Sequence, residues 1–282
     1  MSDLRIVVPA SAGFCWGVER ALEIARDAVA TCRAPVDTLG PLIHNPGVIA
    51  ELEAEGIGRV EDLAAKTEGT VIIRSHGIPI EVKDVLAESD IQVVDATCTF
   101  VKAAQDKAAR LRAEGYKVVI LGEPDHPEVL GIRSHAGPDA VVLEEPEEIP
   151  EWLDGRRVGL VVQTTQSQAR LAALAAALTP RVSELRVFNT ICSATERRQR
   201  ETVELAEEVD LVIVVGGRDS GNTARLVQLS SAVQPRSFHV EGAEEVQREW
   251  LEGVDSVGIT AGASTPPAQI EAVVARVREL SS

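Results

Sequence analysis

The feature that most constrains this chain is a pattern that occurs three times: a short apolar run, a cysteine, and a stretch with helical spacing of apolar residues. The cysteines are Cys15, Cys98 and Cys192. An apolar run before each cysteine and a helical period after it predict that each cysteine lies where a strand ends and a helix begins. This regular recurrence indicates an internal repeat, so we expect three related units.

Other polar residues occupy matching places in each third, at the ends of further apolar runs. Alternating strands and helices predict an α/β fold with parallel sheets and right-handed crossovers. In such sheets, ligands bind beyond the carboxyl ends of the strands, so we expect these residues to share one site. The three sets are Cys15, His44 and His76; Cys98, His126 and Thr164; and Cys192, Asn222 and Ser264.

The length of the chain also favours several units. With 282 residues, it is near the size at which a single hydrophobic core stops growing. We expect the three units to cover residues 1–89, 90–182 and 183–282. The strand before each cysteine is expected to pair with the sheet of a neighbouring unit, so these boundaries are set only to within several residues.

Composition excludes several classes of protein. A formal net charge of −16 argues against a nucleic-acid partner, which normally requires a basic patch. No apolar run approaches the roughly 18 residues that span a bilayer, and the first residues lack the pattern of a signal peptide. Four cysteines in such a chain favour metal binding or catalysis over disulfides. We therefore expect a cytoplasmic protein with no membrane partner.

Three cysteines at helix starts suit a metal site, because the amino end of a helix favours a thiolate. Structural zinc takes four protein ligands, whereas only three cysteines belong to the repeat. An iron–sulfur cluster also accepts thiolates, and three ligands on four irons leave one iron open to a substrate. Cys32 lies outside the repeat, and we interpret it as structural. These residues alone leave iron–sulfur and zinc both open.

A second group of residues is suited to binding an anion. Its members lie beside glycines where loops lead into helices, and glycine lets backbone N–H groups approach a ligand closely. Imidazole, amide and hydroxyl groups can complete a phosphate or diphosphate site. The group consists of His44, His76, Ser220, Asn222 and Ser264.

A third feature is a possible source of protons. Glu128 follows His126 by two residues, and a carboxyl group in a closed pocket can hold and deliver a proton. Thr164 could relay that proton or orient a substrate. We therefore predict that Glu128 is the general acid.

The same residues occur within longer motifs. The chain resembles the family of 4-hydroxy-3-methylbut-2-enyl diphosphate reductases, the last enzymes of the methylerythritol phosphate route to isoprenoids. The resemblance runs through almost the whole chain, in the order of the family's motifs. The motifs are Gly13-Phe14-Cys15-Trp16-Gly17-Val18, His44-Asn45-Pro46, Ser75-His76-Gly77, Asp95-Ala96-Thr97-Cys98, His126-Pro127-Glu128-Val129, Gln163-Thr164-Thr165, Cys192-Ser193-Ala194-Thr195 with Arg198-Gln199, Ser220-Gly221-Asn222 and Ala261-Gly262-Ala263-Ser264.

This resemblance implies a trefoil of three α/β units around a central [4Fe-4S] cluster, which Cys15, Cys98 and Cys192 ligate while one iron stays open. It implies that Glu128 is the proton donor and that Thr164 contacts the substrate hydroxyl or its water. The reaction it implies is reductive removal of the allylic hydroxyl, giving isopentenyl and dimethylallyl diphosphates with electrons from ferredoxin or flavodoxin. The implied diphosphate-binding residues are His44, His76, His126, Ser220, Gly221, Asn222 and Ser264.

Two positions depart from the family pattern. Gly221 stands where the family often has a second serine, and Thr99 stands where a proline often follows the second cysteine. These departures leave open a paralogous iron–sulfur reductase or sensor for another phosphorylated ligand. A non-redox phosphate-binding enzyme that uses zinc is a further alternative.

Overall fold

The computed structural model describes residues 4–281, and within them every strand belongs to one of three parallel sheets. The strands are β1 (Arg5–Val7), β2 (Val36–Leu39), β3 (Ile57–Val60), β4 (Thr70–Ile73), β5 (Gln92–Asp95), β6 (Lys117–Leu121), β7 (Val141–Leu143), β8 (Arg157–Val162), β9 (Glu184–Val187), β10 (Leu211–Val215), β11 (Ser237–Val240) and β12 (Ser256–Ala261). The α-helices are α1 (Trp16–Thr31), α2 (Pro46–Ala54), α3 (Ile80–Ala87), α4 (Thr99–Ala113), α5 (Pro127–Ala136), α6 (Gln168–Leu178), α7 (Ser193–Glu208), α8 (Gly221–Val233) and α9 (Pro267–Ser281).

The described residues form two compact units. The terminal unit comprises those within Met1–Glu19, His44–Ala50 and Ser193–Ser282, and the middle unit comprises Arg20–Ile43 and Glu51–Cys192. The terminal unit contains one sheet, and the middle unit contains the other two. The predicted boundaries between residues 89 and 90 and between residues 182 and 183 stay a prediction.

All three sheets have the same strand order. The sheet of the terminal unit runs β1-β12-β10-β11, and those of the middle unit run β5-β4-β2-β3 and β9-β8-β6-β7. Every pairing is parallel. In each sheet the edge strand named first precedes a cysteine, so β1 completes the sheet built by the last third of the chain. The expectation that these strands join a neighbouring unit's sheet is confirmed.

The cores follow from the two-residue period of the strands, which sends alternate side chains to opposite faces. In β10, Leu211, Ile213 and Val215 pack with side chains of α9. The alternate residues, Val212 and Val214, pack with side chains of α7 and α8 on the other face. Helices thus cover both faces of this sheet, as expected for a parallel sheet whose central strand β10 is apolar throughout.

Two glycines in central strands let helices approach the sheets closely. A Cβ atom on Gly258 of β12 would lie within 3.0 Å of the Leu205 side chain of α7. A Cβ atom on Gly159 of β8 would likewise lie within 3.0 Å of the Leu111 side chain of α4. Each leucine occupies the same position relative to the cysteine before its helix, so the internal repeat extends to core packing.

Two short strands were not anticipated from the sequence. Strands β3 and β11 have four residues each and lie at sheet edges, where mixed exposure weakens a two-residue hydrophobic pattern. The acidic segment 138–152, whose pattern predicts a strand plus a surface turn, contains β7 and leads into two short 3₁₀ turns, Pro146–Glu148 and Glu151–Leu153. Within residues 4–281, no helix has the length and apolar character needed to cross a bilayer.

Candidate active site

The three repeated cysteines have the same backbone environment. The N–H of each donates to the carbonyl of the residue two positions past the end of the neighbouring strand. This equivalence supports the predicted repeat, because three separate sheets present a cysteine in one way. The bonds are Cys15 to Ala263 (3.2 Å), Cys98 to Ser75 (2.9 Å) and Cys192 to Thr164 (3.0 Å).

Each of these cysteines immediately precedes the first residue of a helix, as predicted. All three are half-buried, so their sulfur atoms suit a metal centre that is shielded but reachable. Cys32 follows the last residue of the 16-residue helix α1. Since a helix rises about 1.5 Å per residue, Cys32 is roughly 24 Å from the start of that helix. Its interpretation as a structural residue stays a prediction.

The middle unit holds a buried carboxyl group at the carboxyl end of a strand. Glu128, in the first turn of α5, is only 2% exposed. The backbone N–H of Thr164 donates to its Oε1 atom at 2.6 Å, and the Thr164 hydroxyl lies 2.8 Å from Oε2. The side chain is therefore fixed at both oxygens by one residue.

The environment of Glu128 favours the protonated acid. Burial is the main cause, and the charge of Glu123 acts in the same direction, while the two bonds from Thr164 act against them. Together they raise the pKa of Glu128 from 4.5 to about 7. Because Oε1 accepts the Thr164 N–H in either state, the proton of the neutral acid lies on Oε2, facing the Thr164 hydroxyl.

Thr164 connects this acid to a cysteine. Its N–H and hydroxyl contact Glu128, and its carbonyl accepts the N–H of Cys192. The bond to Cys192 makes Thr164 equivalent to Ser75 and Ala263. The sequence-based alignment of Thr164 with His76 and Ser264 is therefore wrong by one residue, and Thr165 occupies that place.

Two of the predicted histidines meet in the middle unit. The rings of His76 and His126 lie edge to face, with centroids 5.4 Å apart. His126 caps helix α5, because its Nδ1 atom accepts the N–H of Glu128 at 3.1 Å. A neutral ring that accepts at Nδ1 carries its proton on Nε2, where it can donate to an anion.

The terminal unit gathers His44, Ser220, Gly221, Asn222 and Ser264. The Ser264 hydroxyl donates to the carbonyl of His44 at 3.0 Å, and the Ser220 hydroxyl caps α8 by accepting the N–H of the residue three positions on. Asn222 is 5% exposed, and neither polar atom of its side chain has a partner among the described residues. Since buried amides are normally hydrogen-bonded, Asn222 is a candidate for binding a ligand.

Comparison with known proteins assigns this chain to a family. The family model described as LytB protein matches residues 6–278. The chain belongs to the LytB family. LytB relatives include proteins from Syntrophotalea carbinolica, with 47% identity over 99% of this chain and 100% of the relative, and from Aquifex aeolicus, with 44% identity over 98% and 96%. Both relatives are named 4-hydroxy-3-methylbut-2-enyl diphosphate reductase.

Solved structures agree with this assignment to the LytB family. A structure of (E)-4-hydroxy-3-methyl-but-2-enyl diphosphate reductase, described as the terminal enzyme of the non-mevalonate pathway, matches with a TM-score of 0.73 and 43% identity over 98% of this chain and 99% of that one. A structure of E-1-hydroxy-2-methyl-but-2-enyl-4-diphosphate reductase from Plasmodium falciparum matches with a TM-score of 0.89 and 25% identity over 97% of this chain and 87% of that one. The predicted α/β fold with three parallel-sheet units is thus confirmed, and so is the predicted family.

Gln163 is a further residue of this site, and the sequence patterns predicted no role for it. It is fully buried, and its Oε1 atom accepts the N–H of Glu123 at 2.9 Å. It also lies against Gly122, where an added Cβ would be 2.9 Å from the same oxygen. Gln163 therefore supports the loop that leads to His126. Its place at a strand end beside Thr164 is the sequence signal that could have revealed it.

The raised pKa of Glu128 predicts how the stability of this LytB protein depends on pH. Because the pKa is about 7 in the folded chain and 4.5 normally, folding takes up a proton between these values. The stabilising contribution is complete below about pH 4.5 and is lost as the pH rises through about 7. Glu128→Gln removes this dependence while keeping a side chain that can bond Thr164.

We therefore expect the free energy of unfolding of Glu128→Gln, relative to wild type, to increase by about 3 kcal/mol between pH 4.5 and 8. Urea unfolding of the cluster-free chains across this range measures the difference. A difference between the two chains that does not change with pH would contradict the raised pKa.

Proposed function

We propose that this chain removes the allylic hydroxyl of 4-hydroxy-3-methylbut-2-enyl diphosphate reductively, giving isopentenyl and dimethylallyl diphosphates. Relatives of nearly the same length carry this substrate in their names. The observation that carries the proposal is the position of Thr164, which contacts a buried acid through its side chain and amide and a cysteine through its carbonyl. A proton donor and a metal ligand held by one residue suit a reaction that consumes both protons and electrons.

Cys15, Cys98 and Cys192 would hold a [4Fe-4S] cluster with three protein ligands. Their donor chemistry fits this group, because all three are half-buried thiols placed directly before helices. A cluster with one iron lacking a protein ligand supplies electrons and a Lewis acid when bound. Structural zinc fits less well, since such a site takes four protein ligands.

Glu128 would supply the proton for the departing hydroxyl. Hydroxide is a poor leaving group, so an acid must protonate the oxygen as the C–O bond breaks. The proton lies on Oε2 of the neutral acid, next to the Thr164 hydroxyl, which is 2.8 Å away. That hydroxyl can accept the proton while passing its own to the substrate, or it can orient the substrate hydroxyl directly.

The diphosphate would be bound by the histidine, serine and asparagine side chains at strand ends. Asn222 supports this role most directly, because its buried amide has no partner among residues 4–281. It lies in the first turn of α8, where backbone N–H groups and the helix dipole favour an anion. In a chain with a net charge of −16, such local donors are needed to bind an anionic substrate. The proposed set is His44, His76, His126, Ser220, Gly221, Asn222 and Ser264.

His76→Ala tests the diphosphate site. A hydrogen bond to a charged group contributes on the order of 1.5–3 kcal/mol, so we expect this change to weaken substrate binding by roughly 10- to 100-fold. Inorganic diphosphate should compete with the substrate in wild type and bind less tightly to the variant. Titration calorimetry on the cluster-loaded protein measures both affinities.

The matched control is His135→Ala, because His135 in the same unit bonds the carbonyl of Gly131 at 2.9 Å through its own ring. This control should bind substrate like wild type. Unchanged substrate affinity in both His44→Ala and His76→Ala proteins would contradict the proposed site.

The electrons would come from a ferredoxin or a flavodoxin, and the compartment would be the cytoplasm. The reaction consumes two electrons, and a single cluster must be reduced again by an outside donor for each turnover. Thiolates that bind a cluster must stay reduced, which suits a reducing compartment.

The decisive experiment is anaerobic turnover of 4-hydroxy-3-methylbut-2-enyl diphosphate by cluster-loaded protein with a chemical reductant. We expect both isoprenoid diphosphates as products. Failure of turnover by protein with full iron and sulfide content would reject the proposed substrate. Gly221→Ser restores the serine hydroxyl that the family often has at this position. In the same assay, this variant tests whether the absence of that hydroxyl changes substrate preference toward another phosphorylated ligand.

A further inference from the structure

We propose that Arg198 is a positioning residue that holds the loop carrying Cys15 in the conformation needed to bind iron. The inference rests on the proposed cluster site. Arg198 lies in α7 and is 2% exposed. Its Nε atom donates to the carbonyl of Ser11 at 2.9 Å, and its Nη2 atom donates to the carbonyl of Gly13 at 2.7 Å. One buried cation thus fixes two carbonyls just ahead of Cys15.

A second residue of α7 contacts the same loop. The Glu201 carboxylate accepts the N–H of Ser11 at 3.1 Å. Glu201 follows Arg198 by three residues, so both side chains lie on the same face of the helix. Ser11 is therefore bonded to α7 through both its N–H and its carbonyl, and the approach to Cys15 cannot move independently of that helix.

The opposite side of the loop is also held. Gly13 has a φ angle of +97°, and an added Cβ would lie 3.0 Å from the Ile270 side chain and 3.2 Å from the carbonyl of Thr265. Cys15 itself donates its N–H to the carbonyl of Ala263. With both sides fixed, the Cys15 thiol is oriented before any metal arrives, and such support normally raises the affinity of a ligand set.

Arginine is the residue that this arrangement requires. The two carbonyls belong to residues separated by Ala12, and the planar guanidinium offers donors at separate nitrogens in a rigid fork. Lysine has one nitrogen on a flexible stem and cannot reproduce that geometry. Burying a cation is unfavourable unless its N–H donors are hydrogen-bonded. The hydrogen bonds from buried Arg198 therefore favour the loop conformation that keeps the Ser11 and Gly13 carbonyls in place.

The middle unit has a related arrangement before its two repeated cysteines, Cys98 and Cys192. Arg20 of α1 donates to the carbonyl of Thr97, immediately before Cys98, at 3.3 Å. Lys107 of α4 lies 4.9 Å from the ring centre of Phe188, on the approach to Cys192. A cationic side chain from a cysteine-initiated helix thus contacts the segment before each repeated cysteine. Arg198 makes the most buried of these three contacts.

The test compares Arg198→Met and Arg198→Lys in the full chain. Arg200→Met is the matched control, because Arg200 is an exposed arginine of the same helix whose side chain is 64% exposed. In the cluster-free proteins, we measure hydrogen exchange at residues 11–15 and the alkylation rate of Cys15 relative to Cys192 in the same molecule. Iron and sulfide are then measured after anaerobic reconstitution, together with the absorption spectrum of the cluster.

For Arg198→Met we expect hydrogen exchange at residues 11–15 and the Cys15 alkylation ratio to increase by about 10-fold or more, on the scale of lost charge-assisted hydrogen bonds. Reconstituted iron should fall well below wild type, Arg198→Lys should recover part of it, and Arg200→Met should match wild type. Wild-type alkylation, exchange and iron content in Arg198→Met would overturn the proposal.

If Arg198→Met does not fold, Arg198→Lys decides the question, because it keeps the charge and loses only the fork geometry. A wild-type alkylation ratio and iron content in Arg198→Lys would then overturn the proposal. Failure of the wild-type chain to bind iron would instead reject the proposed cluster, while the alkylation and exchange measurements would still test the role of Arg198.

Discussion

Glu128→Gln is expected to lower the turnover of 4-hydroxy-3-methylbut-2-enyl diphosphate by about 10²-fold or more, the usual scale for loss of a general acid. Cluster content and substrate affinity should stay near wild type. Glutamine keeps the shape of the side chain, and its oxygen can still accept the Thr164 N–H. Its NH₂ group can donate to the Thr164 hydroxyl as the neutral acid does, but it cannot release a proton.

The matched control is Asp125→Asn, in the loop before α5. Asp125 is the nearest competing carboxyl group in the sequence, but it is exposed, whereas Glu128 is buried. We expect Asp125→Asn to turn over like wild type in single-turnover and steady-state assays with a chemical reductant. Near wild-type turnover by Glu128→Gln, with an intact cluster, would transfer the role to Thr164 or His126.

The sequence was sufficient to predict most of the fold because its central strands are mostly apolar and buried. Strand β10, for example, reads Leu211–Val215 without a polar residue, and it is fully buried. The edge strands β3 and β11 lack such a signal, since their stability comes from pairing with a neighbour and not from a hydrophobic pattern. The closure of the last sheet by β1 is a long-range pairing, and only the repeat of strand, cysteine and helix indicated it.

The types of residue in the candidate site could be predicted from the sequence, but the exact alignment of residues between the three strand ends could not. Counting along the sequence aligned Thr164 with His76, whereas hydrogen bonding to the cysteines aligns it with Ser75. Such a difference of one residue depends on how each strand ends, which periodicity does not specify. That Glu128 favours the protonated form follows from placing a carboxyl group in a closed pocket, whereas the size of its pKa shift depends on burial by parts of the chain that are distant in sequence.

Cys98→Ser is expected to lose most of the iron and sulfide that the wild-type chain binds, and with them nearly all turnover. A serine hydroxyl is a hard and weakly acidic ligand, whereas iron–sulfur clusters are held by soft thiolates. The change leaves the backbone bond from residue 98 to the Ser75 carbonyl in place, so the fold should persist. Anaerobic reconstitution followed by iron and sulfide analysis measures the effect, and circular dichroism checks the fold.

Cys32→Ser is the internal control for this prediction. It makes the same chemical change at the carboxyl end of α1, where the Cys32 thiol lies 3.7 Å from the Thr31 hydroxyl. We expect this protein to keep the cluster, its colour and its turnover, and we expect Cys15→Ser and Cys192→Ser to behave like Cys98→Ser. The three repeated positions share one backbone bond and one place before a helix, so the cluster should depend on each of them. Full iron retention in Cys98→Ser, or loss of the cluster in Cys32→Ser, would reject this assignment of ligands.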